Sequence, residues 1–143
     1  MSEWRHFDTE AFLKASRFWD EKIRKLEEEL NNMSELPAVN NESGIRGSDI
    51  SDMTAQMALR RLKITAQIED IKLDKEILKY GLKMLSEEES ELINGFFFPK
   101  KAIGTFVWEY SRKYAMSERK VYEERKRVLR KMGDLIEEEF YEE

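Results

Sequence analysis

The chain predicts an all-α protein: a long antiparallel coiled-coil hairpin followed by a small helix-turn-helix domain. Three features carry this. Two apolar series recur every seven residues, one on each side of a polar, turn-rich stretch. Gly and Pro are scarce and 38% of residues are charged, a composition suited to helices with solvated faces. A basic amphipathic segment near the C-terminus follows a shorter helix and a tight turn.

The first helix is expected over Asp8–Met33. Phe12, Trp19, Leu26 and Met33 form a heptad series, with Ile23 and Leu30 interleaved four residues after Trp19 and Leu26. Aromatics on such a stripe, Trp19 included, are core rather than cofactor-binding. Residues Ser34 to Ser51 contain Pro37, Asn40, Asn41, Gly44 and Gly47 and read as a polar loop. Its length is unusual for a compact domain, and Arg46 alone does not make it a binding loop. The second helix is expected over Asp52–Leu85, with Met57, Ile64, Ile71, Leu78 and Leu85 in heptad register and Ile68 and Leu82 beside them. At about 1.5 Å per residue it reaches roughly 50 Å. Neither helix buries its seam alone. Folding back as a hairpin is the simplest solution, dimerisation through the seam the alternative. Gly81 weakens the helix near its end and permits a bend.

Ser86 and Glu89 are spaced as a capping box. They open a short helix with Leu92 and Ile93 inward, expected to stop near Gly95. Phe96, Phe97 and Phe98 are too apolar to leave in water and read as C-terminal core, with a partner-binding patch as the sharper alternative. A further helix is expected over Ala102–Lys113, then a turn at Tyr114, Ala115 and Met116. Ser117 is placed to cap the last helix, on which Val121, Val128 and Met132 share the inward face. The acidic end from Asp134 is expected to prolong that helix. Expected domains are thus 1–85, 86–133 and an acidic tail, 134–143.

Charge is unevenly distributed. The net charge is −5, yet residues 96–133 hold eleven lysines and arginines against four carboxylates. Phosphate contacts depend on such local charge. A cationic helix after a short helix and a tight turn suits insertion into a DNA major groove. The N-terminal part of that helix, Ser117, Glu118, Arg119, Lys120, Tyr122 and Glu123, supplies the candidates for reading bases, since arginine reads guanine and glutamate accepts from cytosine. Lys100, Lys101, Arg112, Lys113, Arg125, Lys126 and Arg127 are the candidates for holding phosphates. A solvated surface helix with no DNA role is the plainer alternative.

Other classes are disfavoured. There is no cysteine, which removes disulfides, thiol catalysis and cysteine-based zinc sites. The one histidine, His6, reads as a solvated terminal residue. No Glu-x-x-His pair or glycine-rich phosphate loop is present. No catalytic residue, metal or cofactor is expected, and an enzyme is the least favoured class. No apolar run is long enough to span a membrane and no signal-peptide pattern is seen, so a cytoplasmic protein is expected.

The order LSEEESELI, an aromatic cluster, a helix, then YAMSERKVYEERKRVLRKM resembles the C-terminal helix-turn-helix domain of bacterial sigma factors. It is more similar still to phage late-gene regulators of the RinA and ArpU type. The likeness is best over residues 85–133 and is one of layout over 18–85. The recognition turn of that family corresponds to Ser117, Glu118, Arg119, Lys120, Val121 and Tyr122. Two residues depart from the pattern: Glu124 stands where sigma-type helices are usually apolar, and Ala115 replaces the common turn glycine. The resemblance implies sequence-specific binding of double-stranded DNA and activation of late packaging and structural genes in a bacterial host. On that reading the coiled coil either makes the protein a homodimer or contacts RNA polymerase. Two alternatives stand beside it. A small terminase subunit combines the same elements, usually in the opposite order. A helical interaction module would bind no DNA.

Overall fold

In the computed structural model, which describes residues 7–35 and 47–141 and leaves out the side chains of 34–35 and 47–51, every regular element is helical. The helices are α1 (Thr9–Ser16), α2 (Trp19–Glu35), α3 (Gly47–Lys83), α4 (Glu87–Phe97), α5 (Ile103–Lys113) and α6 (Glu118–Ile136). A π-helical turn, Glu137–Tyr141, follows α6. The chain forms two compact units, Phe18–Asp74 and the combination of Met1–Arg17 with Lys75–Glu143.

The first unit is the helical hairpin. Met33 from α2 packs with Ile64 and Ile68 from α3, and Ile23, Leu26 and Leu30 complete the cluster. These are the two expected seams, closed within one chain. An ion pair from Arg60 to Glu29 at 2.6 Å crosses between the helices. Trp19 and Ile71 are also buried. The expected loop at 34–51 is shorter than its composition implies, because α3 already begins at Gly47; its residues 36–46 lie outside those described, as does His6.

The second unit holds the larger core. Leu13, Ile77, Leu92, Ile93, Val107, Val121, Val128, Met132 and Ile136 are almost completely shielded from solvent. Phe97 is buried with them, and Phe96 and Phe98 pack at the margin, so the triple aromatic is core as expected. Glycine lets elements approach closely at two places. A β-carbon on Gly95 would lie 2.0 Å from the Phe106 ring, and one on Gly81 would lie 2.8 Å from the Met132 methyl. Gly81 thus admits α6 against the end of α3.

Three expected helix boundaries are corrected. The first helix is not continuous over Asp8–Met33: it is interrupted at Arg17–Phe18. The reason lies in α1, where Asp8 caps through its side chain and Leu13, off the heptad series, is the residue wholly buried. The face of α1 serves the core of the second unit, not the hairpin seam. Helix α3 ends at Lys83, not Leu85. Helix α4 runs through Gly95 to Phe97, because Phe97 must stay in helical register to enter the core. Within the compact units, Thr9–Ser16 and Lys75–Lys83 group with the C-terminal helices. The same unit includes the residues after Gly133: Ile136 is fully buried, and the Phe7 backbone N–H donates to the Glu137 carboxylate.

Candidate nucleic-acid interface

Helices α5 and α6 are joined by a turn with a defined hydrogen-bond pattern. The Met116 N–H donates to the Ser111 carbonyl at 2.9 Å, and the Ala115 N–H to the Arg112 carbonyl at 3.4 Å. This is the paired closure of a Schellman motif, which needs a left-handed residue just past the helix. Ala115 fills that place with φ 52°, the one non-glycine residue at positive φ among the described residues. The Ser117 hydroxyl then accepts from the Lys120 N–H at 3.1 Å and opens α6. Both signals were legible in the local sequence.

Val121, Val128, Leu129, Met132 and Ile136 hold α6 in the core. The opposite face of its first two turns is in water. Ser117, Glu118, Arg119, Lys120, Tyr122 and Glu123 are all exposed, and the Arg119 side chain is 90% accessible. Arg119 lies 3.6 Å from Glu123, and Lys120 the same distance from Glu124. Pairs this long and this wet contribute little, so each cation can be released to another acceptor at small cost. Tyr122 rests partly against the Phe96 ring, at 5.6 Å between centroids.

The seven expected phosphate contacts fall into two groups. Lys100, Lys101 and Lys113 line one groove of about 1010 Å³ between α4 and α5. Within that unit Lys101 pairs with Glu109 at 2.5 Å and Lys113 with Glu91 at 2.9 Å. Arg112 lies over the exposed Trp108 ring, at 4.9 Å, and Lys126 is exposed on α6. Arg125 and Arg127 are engaged within the fold. The Arg125 guanidinium sits 5.2 and 5.1 Å from the Phe96 and Phe97 ring centres and 3.3 Å from the Glu10 carboxylate. Arg127 bonds both Glu124 and Glu89 at 3.0 Å.

Glu89 is the residue whose role the sequence did not disclose. Its backbone N–H donates to the Ser86 hydroxyl, and its carboxylate accepts from the Ser86 N–H at 2.9 Å, completing the expected capping box. The same carboxylate accepts from Lys131 at 2.7 Å and from Arg127 at 3.0 Å, thereby tying α4 to α6. Burial opposes its ionisation, but the bonds from Lys131, Ser86 and Arg127 outweigh that and hold its pKa down to about 2. Glu124, off-pattern for an apolar position, is accounted for similarly: Arg127 above all holds its carboxyl below the ordinary range, against partial burial. The Glu124 side chain is 22% accessible, and its carboxylate accepts from the Arg127 guanidinium one turn on. On the far side, the Tyr110 hydroxyl donates to the Glu88 carbonyl at 3.1 Å, and burial first, then the neighbouring Tyr114 and carboxylates, push its pKa up to about 12.

Among the described residues no group of three or more His, Cys, Asp or Glu side chains is placed to hold a metal ion, and no helix is long and apolar enough to cross a membrane. Comparison with protein-family models, with curated proteins and with solved structures finds no match.

Proposed function

We propose that this chain is a sequence-specific double-stranded DNA-binding regulator of phage or prophage origin, which activates late packaging and structural genes together with the host RNA polymerase. The observation that carries the reading is the exposed, core-anchored start of α6. Arg119 stands 90% accessible on a helix that is capped at Ser117 and buried along its opposite side. A rigid helix entered through a tight turn presents its first residues to base edges when it lies in a major groove. Arg119 and Lys120 would read guanine, Glu118 and Glu123 would accept from cytosine, and Tyr122 would make apolar contact. The helix N-terminus itself favours a phosphate. Lys100, Lys101, Arg112, Lys113 and Lys126 would hold the backbone. Arg125, 21% accessible and paired with Glu10, and Arg127, which bonds two carboxylates, would mainly orient α6, whereas Lys101 and Lys113 would exchange their single pairings with Glu109 and Glu91 for a phosphate.

Selection of bound fragments from the source genome, read by sequencing, tests this directly. One enriched site beside a promoter is the expected result. Enrichment at a packaging site would transfer the reading to a terminase small subunit, and no enrichment would leave a helical interaction module. On the selected site, Arg119→Ala is expected to lose about 1–3 kcal/mol of discrimination. Lys101→Ala should weaken specific and random DNA alike and flatten the salt dependence by about one unit. Equal weakening of specific and random DNA by Arg119→Ala would refute the base-reading role.

A further inference from the structure

Helix α3 carries two apolar seams on opposite faces. Ile64 and Ile68 form the one packed on α2, with Met57 and Ile71 in the same register. A second series lies on the far side: Leu59, Ala66 and Leu73 follow Met57, Ile64 and Ile71 by two residues, and Ala55 and Leu62 precede Met57 and Ile64 by two, about 200° either way around a helix of 3.6 residues per turn, with Glu69 seven places after Leu62. Every member of that second series is exposed: Leu59 is 61%, Leu62 66% and Leu73 55% accessible. Leu59, Leu62 and Ala66 also line a shallow depression of about 560 Å³. A helix apolar on two opposite sides is built to lie between two partners, and α2 covers only one side.

The charges beside this seam select what covers the other. Between Met53 and Ile68 there is no carboxylate, while Arg60, Arg61 and Lys63 flank the seam. From Glu69 to Glu76 four carboxylates outnumber two lysines. The basic half and the acidic half of one helix are complementary when two copies run antiparallel and clash when they run parallel. Small residues at Ala55 and Ala66 allow the backbones to approach between the leucines.

We infer that the Ala55–Leu73 seam of α3 pairs antiparallel with the same seam of a second copy of this chain, making an isologous dimer through the hairpin. Arg61 and Lys63 of each copy then face Glu69 and Asp70 of the other. Arg60 is shared with Glu29 of its own chain. Within the acidic half the Asp74 carboxyl is raised above its ordinary pKa, by partial burial first and then by the like charge of Asp70. This inference does not depend on the DNA-binding proposal.

Sedimentation of the full chain over a concentration series, with circular dichroism, tests it. The wild type should reach twice the monomer mass of 17.1 kDa. Because Leu62 is exposed, Leu62→Glu should keep its helicity and weaken self-association at least about tenfold. A doubly reversed variant, Arg61→Glu with Lys63→Glu, and its counterpart, Glu69→Lys with Asp70→Lys, should each be monomeric where the wild type is dimeric. Mixing the two should restore the dimer. A wild type that stays monomeric overturns the inference and leaves the seam to a different protein. A dimer that survives Leu62→Glu overturns the interface, and reversed variants that self-associate but do not associate with each other overturn the antiparallel orientation.

Discussion

Replacing Glu89 by Gln isolates the contribution of one carboxylate charge to the join between α4 and α6. Glutamine can still accept from the Ser86 N–H and keep the capping box, but it loses the charged pairing with Lys131 and Arg127 seen at 2.7 and 3.0 Å. The folded pKa of about 2 against an ordinary 4.5 corresponds to an upper bound of roughly 3 kcal/mol. Lys131 and Arg127 are 41% and 51% accessible, so water screens part of this and the expected loss at pH 7 is about 1–2 kcal/mol. The sign follows from the lowered pKa. The stabilisation is fully present above the ordinary pKa of 4.5 and is lost progressively as pH falls through the folded pKa of about 2, below which both states are protonated. Urea denaturation of wild type and Glu89→Gln at pH 7, 5 and about 3 measures the difference at each pH. It should be constant from 7 to 5 and shrink by about half or more at 3. A gap that is absent at pH 7, or unchanged at pH 3, would refute the assignment of Glu89 as a charge-stabilised link.

Other substitutions test separate parts of the fold. Gly95→Ala should destabilise by about 1–3 kcal/mol, because the new β-carbon meets the Phe106 ring at 2.0 Å; chemical denaturation would show it, with partial recovery when Phe106 is also shortened to Leu. Ala115→Gly should stabilise by up to about 1 kcal/mol, since glycine adopts φ 52° without the cost of a β-carbon, and a lower midpoint than wild type would contradict the Schellman assignment. Ile64→Glu places a charge in the hairpin seam; hydrogen exchange should show lost protection in α2 and in α3 up to Asp74, with α4, α5 and α6 still protected.

Much of this architecture was legible because its determinants are local. A heptad series states which face of a helix is buried, and α2 and α3 bury those faces at Met33, Ile64 and Ile68. A cap needs only three or four consecutive residues, which is why Ser86–Glu89 and Ser117–Lys120 were found at their expected places. Val121, Val128 and Met132 followed from the same periodicity. The candidate base-reading residues on α6 were identified by that pattern too, and their exposure is what the inward face of α6 dictates.

What the local pattern did not contain is contact between residues far apart in the chain. Phe12 continues the heptad of α2 by spacing, yet α1 turns Leu13 into a different core, which no count of sevens reveals. Gly95 reads as a helix stop, because glycine weakens helices; it is instead kept inside α4 by the need to clear a ring eleven positions later. Glu89 reads as a cap and nothing more until Arg127 and Lys131, about forty residues on, arrive at its carboxylate. The same separation decided which cations are engaged: Arg125 and Arg127 look like their exposed neighbours in sequence, but aromatic rings and carboxylates brought from α1 and α4 hold them. Helical period and capping act over one or two turns and are written in adjacent residues. Close packing and ion pairing act through space, and which groups meet is settled only when the helices have been laid against one another.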